Sequence, residues 1–307
     1  MEVSSPDKLL FPADGITKAQ VVEHYRRVGE AMVGILAGRP LTVQRFPRGI
    51  EAKGFMQKNA ADHFPPSIRR LPVPKRGGGE TLYPVVDRAE DLVFLANQNT
   101  VTFHMWTSSA DRPGHPDWLV IDLDPTADDL DGVRTAVLTV REVLTSFGLD
   151  GVPVATGSKG FHVWTALDGT DGFDRVSLAA RAVAGLAALR APERLTTEFL
   201  KKERKGRVFV DWLRATPTAT VVVPFSLRPR PGAPVAVPLT WDEVATAHPD
   251  GGRLSDTEAV AERLTLGASL VGGAGDGARL PVDDIEAEAR AAGVDLDTPH
   301  DRFGRKR

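Results

Sequence analysis

No cysteine occurs among the 307 residues, which at once excludes disulfides, iron–sulfur clusters and thiolate-held zinc. Any metal ion must then be held by oxygen or imidazole, and the hard divalent cations magnesium and manganese suit such donors. Long apolar runs are also missing, since no stretch approaches the roughly 18 residues of a membrane span. The opening residues Met1-Glu2-Val3-Ser4-Ser5 carry neither the charged nor the apolar region of a signal peptide, so the expectation is a cytosolic protein without a membrane partner. Strong charge of either sign is absent, with a formal net charge of −3. From Asp250 onward 12 acidic side chains face 8 basic ones, which leaves the preceding residues close to neutral. A strongly basic domain, the usual footprint of nucleic-acid binding, is therefore not what composition shows. The positive charge is instead clustered, notably over Lys201-Lys202-Glu203-Arg204-Lys205-Gly206-Arg207, where a solvated helix end is the plainest explanation. There are no internal repeats.

What is present reads as ordered elements. Thr17 is an N-cap for an amphipathic helix to about residue 36, with Val21, Val22, Tyr25, Val28, Met32 and Ile35 on one face. Leu41 to Phe46 and Thr81 to Val86 predict strands, and Asp87 to Asn99 a helix. The Pro/Gly-broken stretch from Pro47 to Gly79 predicts surface loops. Trp118 to Asp124, Val152 to Thr156 and Phe161 to Leu167 predict strands. Between the first two of these, Asp129 or Asp131 caps a helix carrying Val133, Val137, Val140, Leu144 and Phe147. Helices are expected over Asp174 to Leu189 and Leu195 to Lys202, followed by strands at Arg207 to Leu213 and Thr220 to Leu227, close enough to pair as a hairpin. The order specifies an α+β domain of mixed or antiparallel sheets flanked by helices. Beyond Asp250 the pattern weakens. A short helix over Glu258 to Leu266, a Gly-rich stretch and a basic, flexible tail from Asp301 make up a C-terminal extension, residues 251–307.

The chemistry-bearing residues begin with Asp122-Leu123-Asp124. On a strand, alternate side chains share a face, so these two carboxylates project together, about 6.6 Å apart at Cα, while Leu119, Ile121 and Leu123 face the other way. As an isolated motif the pair serves equally well as a cap before Pro125. Val208-Phe209-Val210-Asp211 repeats the arrangement of an acid at the end of an apolar strand, an expensive placement for a lone carboxylate. Three converging carboxylates repel one another without a cation, and with cations they form a two-metal site for phosphoryl transfer. The loop Thr156-Gly157-Ser158-Lys159-Gly160 offers amides, hydroxyls and an ammonium to an anion. It lacks the Walker A spacing, and a plain hairpin turn accounts for it as well. Arg204 and Arg228 are further candidates for phosphate contacts. His104 lies on an apolar strand-like run, where a lone histidine is more often hydrogen-bonded and semi-buried than catalytic. Phe55, Met56 and Phe64, interleaved with Lys53 and Lys58, offer either a platform for stacking bases or ordinary packing beneath a loop.

Five ordered blocks together resemble the polymerase domain of bacterial DNA ligase D and its free-standing relatives, members of the archaeo-eukaryotic primase superfamily. They are Asp7-Lys8-Leu9-Leu10-Phe11-Pro12 with Thr17-Lys18, Val120-Ile121-Asp122-Leu123-Asp124-Pro125, Thr156-Gly157-Ser158-Lys159-Gly160-Phe161-His162, Val208-Phe209-Val210-Asp211-Trp212, and Pro224-Phe225-Ser226-Leu227-Arg228. The resemblance spans about residues 4–250 and so outlines a catalytic domain over residues 1–250. It implies a primase-polymerase cleft lined by sheets, with Asp122, Asp124 and Asp211 as catalytic ligands of manganese or magnesium. Nucleotide contacts are implied for His104, Thr156, Ser158, Lys159, Arg204 and Arg228. It further implies that Lys8 and Lys18 grip the 5′-phosphate of gapped or broken DNA, with Phe55 and Lys58 on the DNA as well. The implied activity is gap filling and end joining that favours ribonucleoside triphosphates, on the nucleoid, beside the end-binding protein Ku and a separate ligase. Three positions depart from the family pattern. Ser5 stands for an asparagine, Met56 for the second aromatic of a stacking pair, and Arg214 for a glutamine. A two-metal nuclease and a non-catalytic DNA-end-binding module are the rival readings of the same residues.

Overall fold

The computed structural model describes residues 2–75, 77–126, 128–256, 260–264, 267 and 277–298. Its frame is a six-stranded sheet whose order is Leu195–Thr196, Val208–Asp211, Trp118–Asp124, Phe161–Ala166, Val152–Ala155 and Val237–Pro238. All neighbours pair antiparallel except the first two, which run parallel. Trp118–Asp124 is an interior strand, buried from Trp118 to Leu123, and this explains why its sequence is an apolar run rather than a strict alternation. The helices Leu130–Ser146 and Phe173–Arg190 pack against each other and against this sheet. Asp129 caps the first of them by accepting the Gly132 N–H at 2.8 Å, one of the two caps expected.

A second, antiparallel sheet has the order Val221–Val222, Thr100–Met105, Leu41–Arg45, Phe55–Gln57. The helix Lys18–Leu36 starts at Thr17 in a capping box with Gln20 and buries its predicted apolar face. Tyr25 from that helix stacks edge-on against Phe103 at 4.8 Å, gives its hydroxyl to the Val101 carbonyl and accepts the Leu227 N–H at 2.9 Å. The core is one continuous cluster, and no helix among the described residues is long and apolar enough to cross a membrane.

Three local expectations are overturned. Leu195–Lys202 is not one helix. Leu195 and Thr196 are both buried and pair with Val208 and Phe209, and only Lys201–Arg204 is helical, because edge pairing of two adjacent buried residues outweighs a short helical pattern. The expected hairpin does not form either. Leu213–Ala215 is a 3-10 turn and Thr218 adopts φ +64, which turns the chain away so that Val221–Val222 joins the other sheet beside Thr100–Met105. Within the expected loops of Pro47–Gly79, Phe55–Gln57 and Arg69–Pro74 are strands, and Phe64 and Ile68 are core residues rather than surface ones.

In the C-terminal region residues 260–264 are helical, while Glu258, Leu266 and the tail from Asp301 lie outside the described residues. Val282–Ala291 is a further helix that buries Val282, Ile285 and Ala289. It packs on Phe173–Arg190, where Val294 fills the space beside Gly185 so closely that an added Cβ would meet it at 2.3 Å.

Candidate active site

Strand register builds the centre. In the antiparallel ladder Asp211 lies directly across from Asp122 on one side, and His162 lies directly across from it on the other. Asp124 shares the Asp122 face two residues on. One ligand oxygen from each of Asp122, Asp124 and Asp211 lies within 4.8 Å of the other two. Directly opposed like charges destabilise a sheet, so this arrangement calls for positive charge between the carboxylates.

Part of that charge is supplied by the protein. Arg214 places Nε 3.0 Å from Asp122 Oδ2 and Nη2 3.1 Å from Asp211 Oδ2. His162 Nε2 is 3.4 Å from Asp122 Oδ1, while its Nδ1 accepts the indole N–H of Trp164 at 3.3 Å. That second bond leaves Nε2 to present its proton toward Asp122. Asp211 Oδ1 accepts the Leu213 N–H at 2.8 Å. Burial acts to raise the Asp122 carboxyl, but His162 and Arg214 outweigh it and hold the group well below the usual carboxylate range. Asp124 is pushed up to about 7, first by the Asp122 charge and then by burial. Burial raises Asp211 as well, against Arg214.

One guanidinium paired with two of three carboxylates does not balance the triad. Hard oxygen donors, a negative surplus and mutual reach are what a divalent oxygen-binding cation requires, so these residues fit manganese or magnesium.

The loop Thr156-Gly157-Ser158-Lys159-Gly160 stands beside the triad. Gly160 closes it against the Trp118–Asp124 strand, where a Cβ would meet the Leu123 carbonyl oxygen at 2.1 Å. Thr156 is a structural member, donating its hydroxyl to the Gly160 carbonyl at 2.8 Å, and the Ser158 amide is taken by the Pro249 carbonyl. Gly157 adopts φ +66, with Arg228 Cγ only 2.8 Å from where its Cβ would stand. Arg228 donates to the Thr156 carbonyl at 3.2 Å, and burial lowers its pKa. Lys159 reaches outward to Asp128 at 3.1 Å. Ser158 Oγ accepts from Arg230 at 2.8 Å.

Of the remaining predicted residues, Arg204 is buried. It spends Nε and Nη2 on the carbonyls of Glu198 and Phe199 and stacks 4.1 Å from the Phe209 ring centroid, yet its charge still acts on Asp124 and Asp211. His104 comes from the second sheet, paired with Thr42 and Val222, and its imidazole is held down to about 3 by burial and by Arg228, Arg214 and His162. The two sheets therefore meet at this centre.

Lys18 is buried, donating to the carbonyl and hydroxyl of Ser4 at 2.6 and 2.7 Å, and Lys8 donates to the Pro47 carbonyl. Burial and the nearby Lys8 charge both lower Lys18, and neither lysine has an acidic partner among the described residues. Phe55 and Met56 lie exposed at 47% and 46% on the edge strand of the second sheet, with Lys58 exposed beyond them.

Sequence reasoning assigned no role to His162 or Arg230. His162 carried a faint signal, an imidazole two residues beyond Gly160 on a strand, but only the register sets it against Asp122.

A family model described as "LigD, primase-polymerase domain" matches residues 17–268. The multifunctional non-homologous end joining DNA repair protein LigD of Mycobacterium tuberculosis is 36% identical over 293 residues, covering 86% of this chain and 38% of that protein. The Mycolicibacterium smegmatis protein LigD is 34% identical over 252 residues, covering 80% of this chain and 32% of its own length. The chain thus spans well under half of these relatives. Among solved structures, the polymerase domain of Mycobacterium tuberculosis ligase D in complex with DNA superimposes with a TM-score of 0.81 at 32% identity, covering 89% of this chain and 99% of that one. Matched over most of its length by the family model, with relatives and a solved domain above 30% identity, this chain belongs to the LigD primase-polymerase domain family of nucleotidyltransferases.

Proposed function

We propose that this protein extends the 3′ end of a primer strand at gaps or breaks in DNA, copying a template and drawing on nucleoside triphosphates, with ribonucleotides preferred. The observation that carries this reading is the convergence of Asp122, Asp124 and Asp211 beside a loop and two arginines suited to a triphosphate. Two divalent cations bound there would lower the pKa of the primer hydroxyl and offset the charge of the triphosphate. In this reading His162 orients Asp122 through its Nε2–H, and Trp164 keeps that ring in the required tautomer. Lys159, Ser158 and Arg228 hold the phosphates, and Arg204 adds positive potential from beneath. Exposed Phe55 and Met56 stack against template bases, with Lys58 alongside the backbone. Lys8 and Lys18, which have no acidic partner among the described residues, take the 5′-phosphate across the gap.

Residues 1–250 form the catalytic domain and residues 251–307 the extension. The support for partners is the names of the relatives, which place those proteins in non-homologous end joining. Broken DNA, Ku and a ligase are the components beside which this chain would act, in the cytoplasm at the nucleoid.

The test is primer extension on a gapped template with manganese and ribonucleotides. Extension is expected, and its loss in Asp122→Ala combined with Asp124→Ala. Strand cleavage instead of extension would favour a nuclease, and DNA binding without turnover a binding module.

A further inference from the structure

Arg214 forms ion pairs with two of the three acids of the carboxylate cluster. Its guanidinium spans from Asp122 Oδ2 to Asp211 Oδ2, one oxygen from each of the two residues paired across the ladder. The other oxygens of those residues are directed elsewhere. Asp122 Oδ1 faces His162, and Asp211 Oδ1 accepts the Leu213 amide. A cation held by Asp122 and Asp211 together would compete with Arg214 for the oxygens that the guanidinium contacts. An arginine cannot shed its charge to make room, so it has to move. Movement is open to it, because its side chain is 34% exposed and projects from a short 3-10 turn, whereas Asp122 and Asp211 are locked into strands. Asp124, in contrast, accepts no hydrogen bond from the described residues and is free for a first ion.

We propose that Arg214 is a displaceable internal cation: it occupies the Asp122–Asp211 bridge in the metal-free protein, and a divalent ion enters that bridge only as the guanidinium transfers to the triphosphate of the incoming nucleotide. The proposal rests on the reading of the triad as a metal site and adds to it a coupling between metal and nucleotide carried by one side chain. The nucleotide gives the displaced guanidinium a bidentate partner of the kind arginine favours, so metal binding is disfavoured before the nucleotide arrives and favoured afterwards. The bridge also keeps two buried, opposed carboxylates from repelling each other while the metal is away.

The test is Mn²⁺ binding by the whole chain, followed by calorimetry and by the loss of the free-Mn²⁺ paramagnetic resonance signal. Wild type, Arg214→Gln and Arg214→Lys are compared with and without a non-hydrolysable nucleoside triphosphate. Without nucleotide, Arg214→Gln is expected to bind Mn²⁺ roughly tenfold or more tightly than wild type, within the range over which neighbouring groups tune metal affinity. Arg214→Lys, which keeps the charge but cannot fork across two carboxylates, should lie between them. Nucleotide should tighten Mn²⁺ binding strongly in wild type and markedly less in Arg214→Gln. Melting of the metal-free proteins supplies an independent readout: Arg214→Gln should melt below wild type in chelator and recover more on adding Mn²⁺. Equal Mn²⁺ affinity and equal nucleotide coupling in all three proteins would overturn the proposal while leaving the metal site standing. Mn²⁺ binding by none of them, nucleotide present or absent, would overturn the metal-site reading and this proposal with it. If Arg214→Gln proves too unstable to titrate, undiminished coupling in Arg214→Lys overturns the proposal on its own.

Discussion

Asp122 and Asp211 are direct cross-strand partners in an antiparallel ladder, two buried carboxylates placed where a sheet least tolerates like charge. The strain appears on their neighbour, since the Asp122 charge pushes Asp124 up to about 7.

A carboxylate raised from its ordinary 3.8 to about 7 on folding contributes stability that is fully present at acid pH and is lost as pH rises through about 7. The metal-free protein in chelator should therefore lose melting temperature across that window, and Asp124→Asn should flatten the loss. Mn²⁺ affinity should change in the opposite sense, rising through about pH 7 as the ion no longer competes with a proton on Asp124. A Mn²⁺ titration series that is flat across this range would contradict the assignment.

His162 donates toward Asp122 from a ring whose tautomer Trp164 sets. His162→Ala should weaken Mn²⁺ binding by roughly 10–100-fold, the usual cost of removing an orienting partner. Trp164→Phe, which keeps an aromatic ring but not the N–H, should show part of that loss. Calorimetric titration of both variants checks it, with circular dichroism to confirm folding.

Phe55 is half exposed on an edge strand, with Arg45 positioned 5.6 Å from its ring centroid. Phe55→Ala should leave the melting temperature nearly unchanged while weakening primer-template binding by about 1–3 kcal/mol, the range for one stacked base. Fluorescence anisotropy with a gapped duplex measures it. An unchanged affinity would remove Phe55 from the DNA surface.

Gly160 sits against the Leu123 carbonyl with no room for a methyl group. Gly160→Ala should cost about 1–3 kcal/mol in chemical denaturation, typical of overpacking. It should also weaken nucleotide binding, because the loop would have to lift away from the strand that carries Asp122 and Asp124.

Buried His24 makes a 2.8 Å hydrogen bond through Nε2 to the carbonyl of Phe225, a non-glycine residue held at φ +69 just ahead of Arg228. Burial depresses its pKa from 6.5 to about 4. A depressed histidine contributes stability that is complete above the unfolded value and is lost as pH falls, so unfolding free energy should decline from about 6.5 toward about 4. His24→Gln should reduce that slope, as denaturant melts at several pH values would show.

The elements with a strong period were legible before any coordinates. The Lys18–Leu36 helix, its Thr17 cap and the Trp118–Asp124 strand carry their own signals in apolar spacing and capping chemistry, which are local properties of the chain. The absence of cysteine already restricted the metal donors to oxygen and nitrogen, and the alternation of Asp122 and Asp124 put both on one face. Pairing was not legible. Val221–Val222 was expected beside Arg207–Leu213 and instead lies in the other sheet, because the choice of partner strand depends on contacts distant in sequence. The same physics governs the site. Identity and spacing put three aspartates, a glycine loop and several arginines in the chain. Register alone decided that Asp211 and His162 flank Asp122 from either side, and tertiary packing alone that Arg214 bridges two of the acids while Arg204 is tied to backbone carbonyls. Charges at such separations in sequence acquire meaning only when folding sets the distances between them, since their interaction depends on separation and burial rather than on order along the chain.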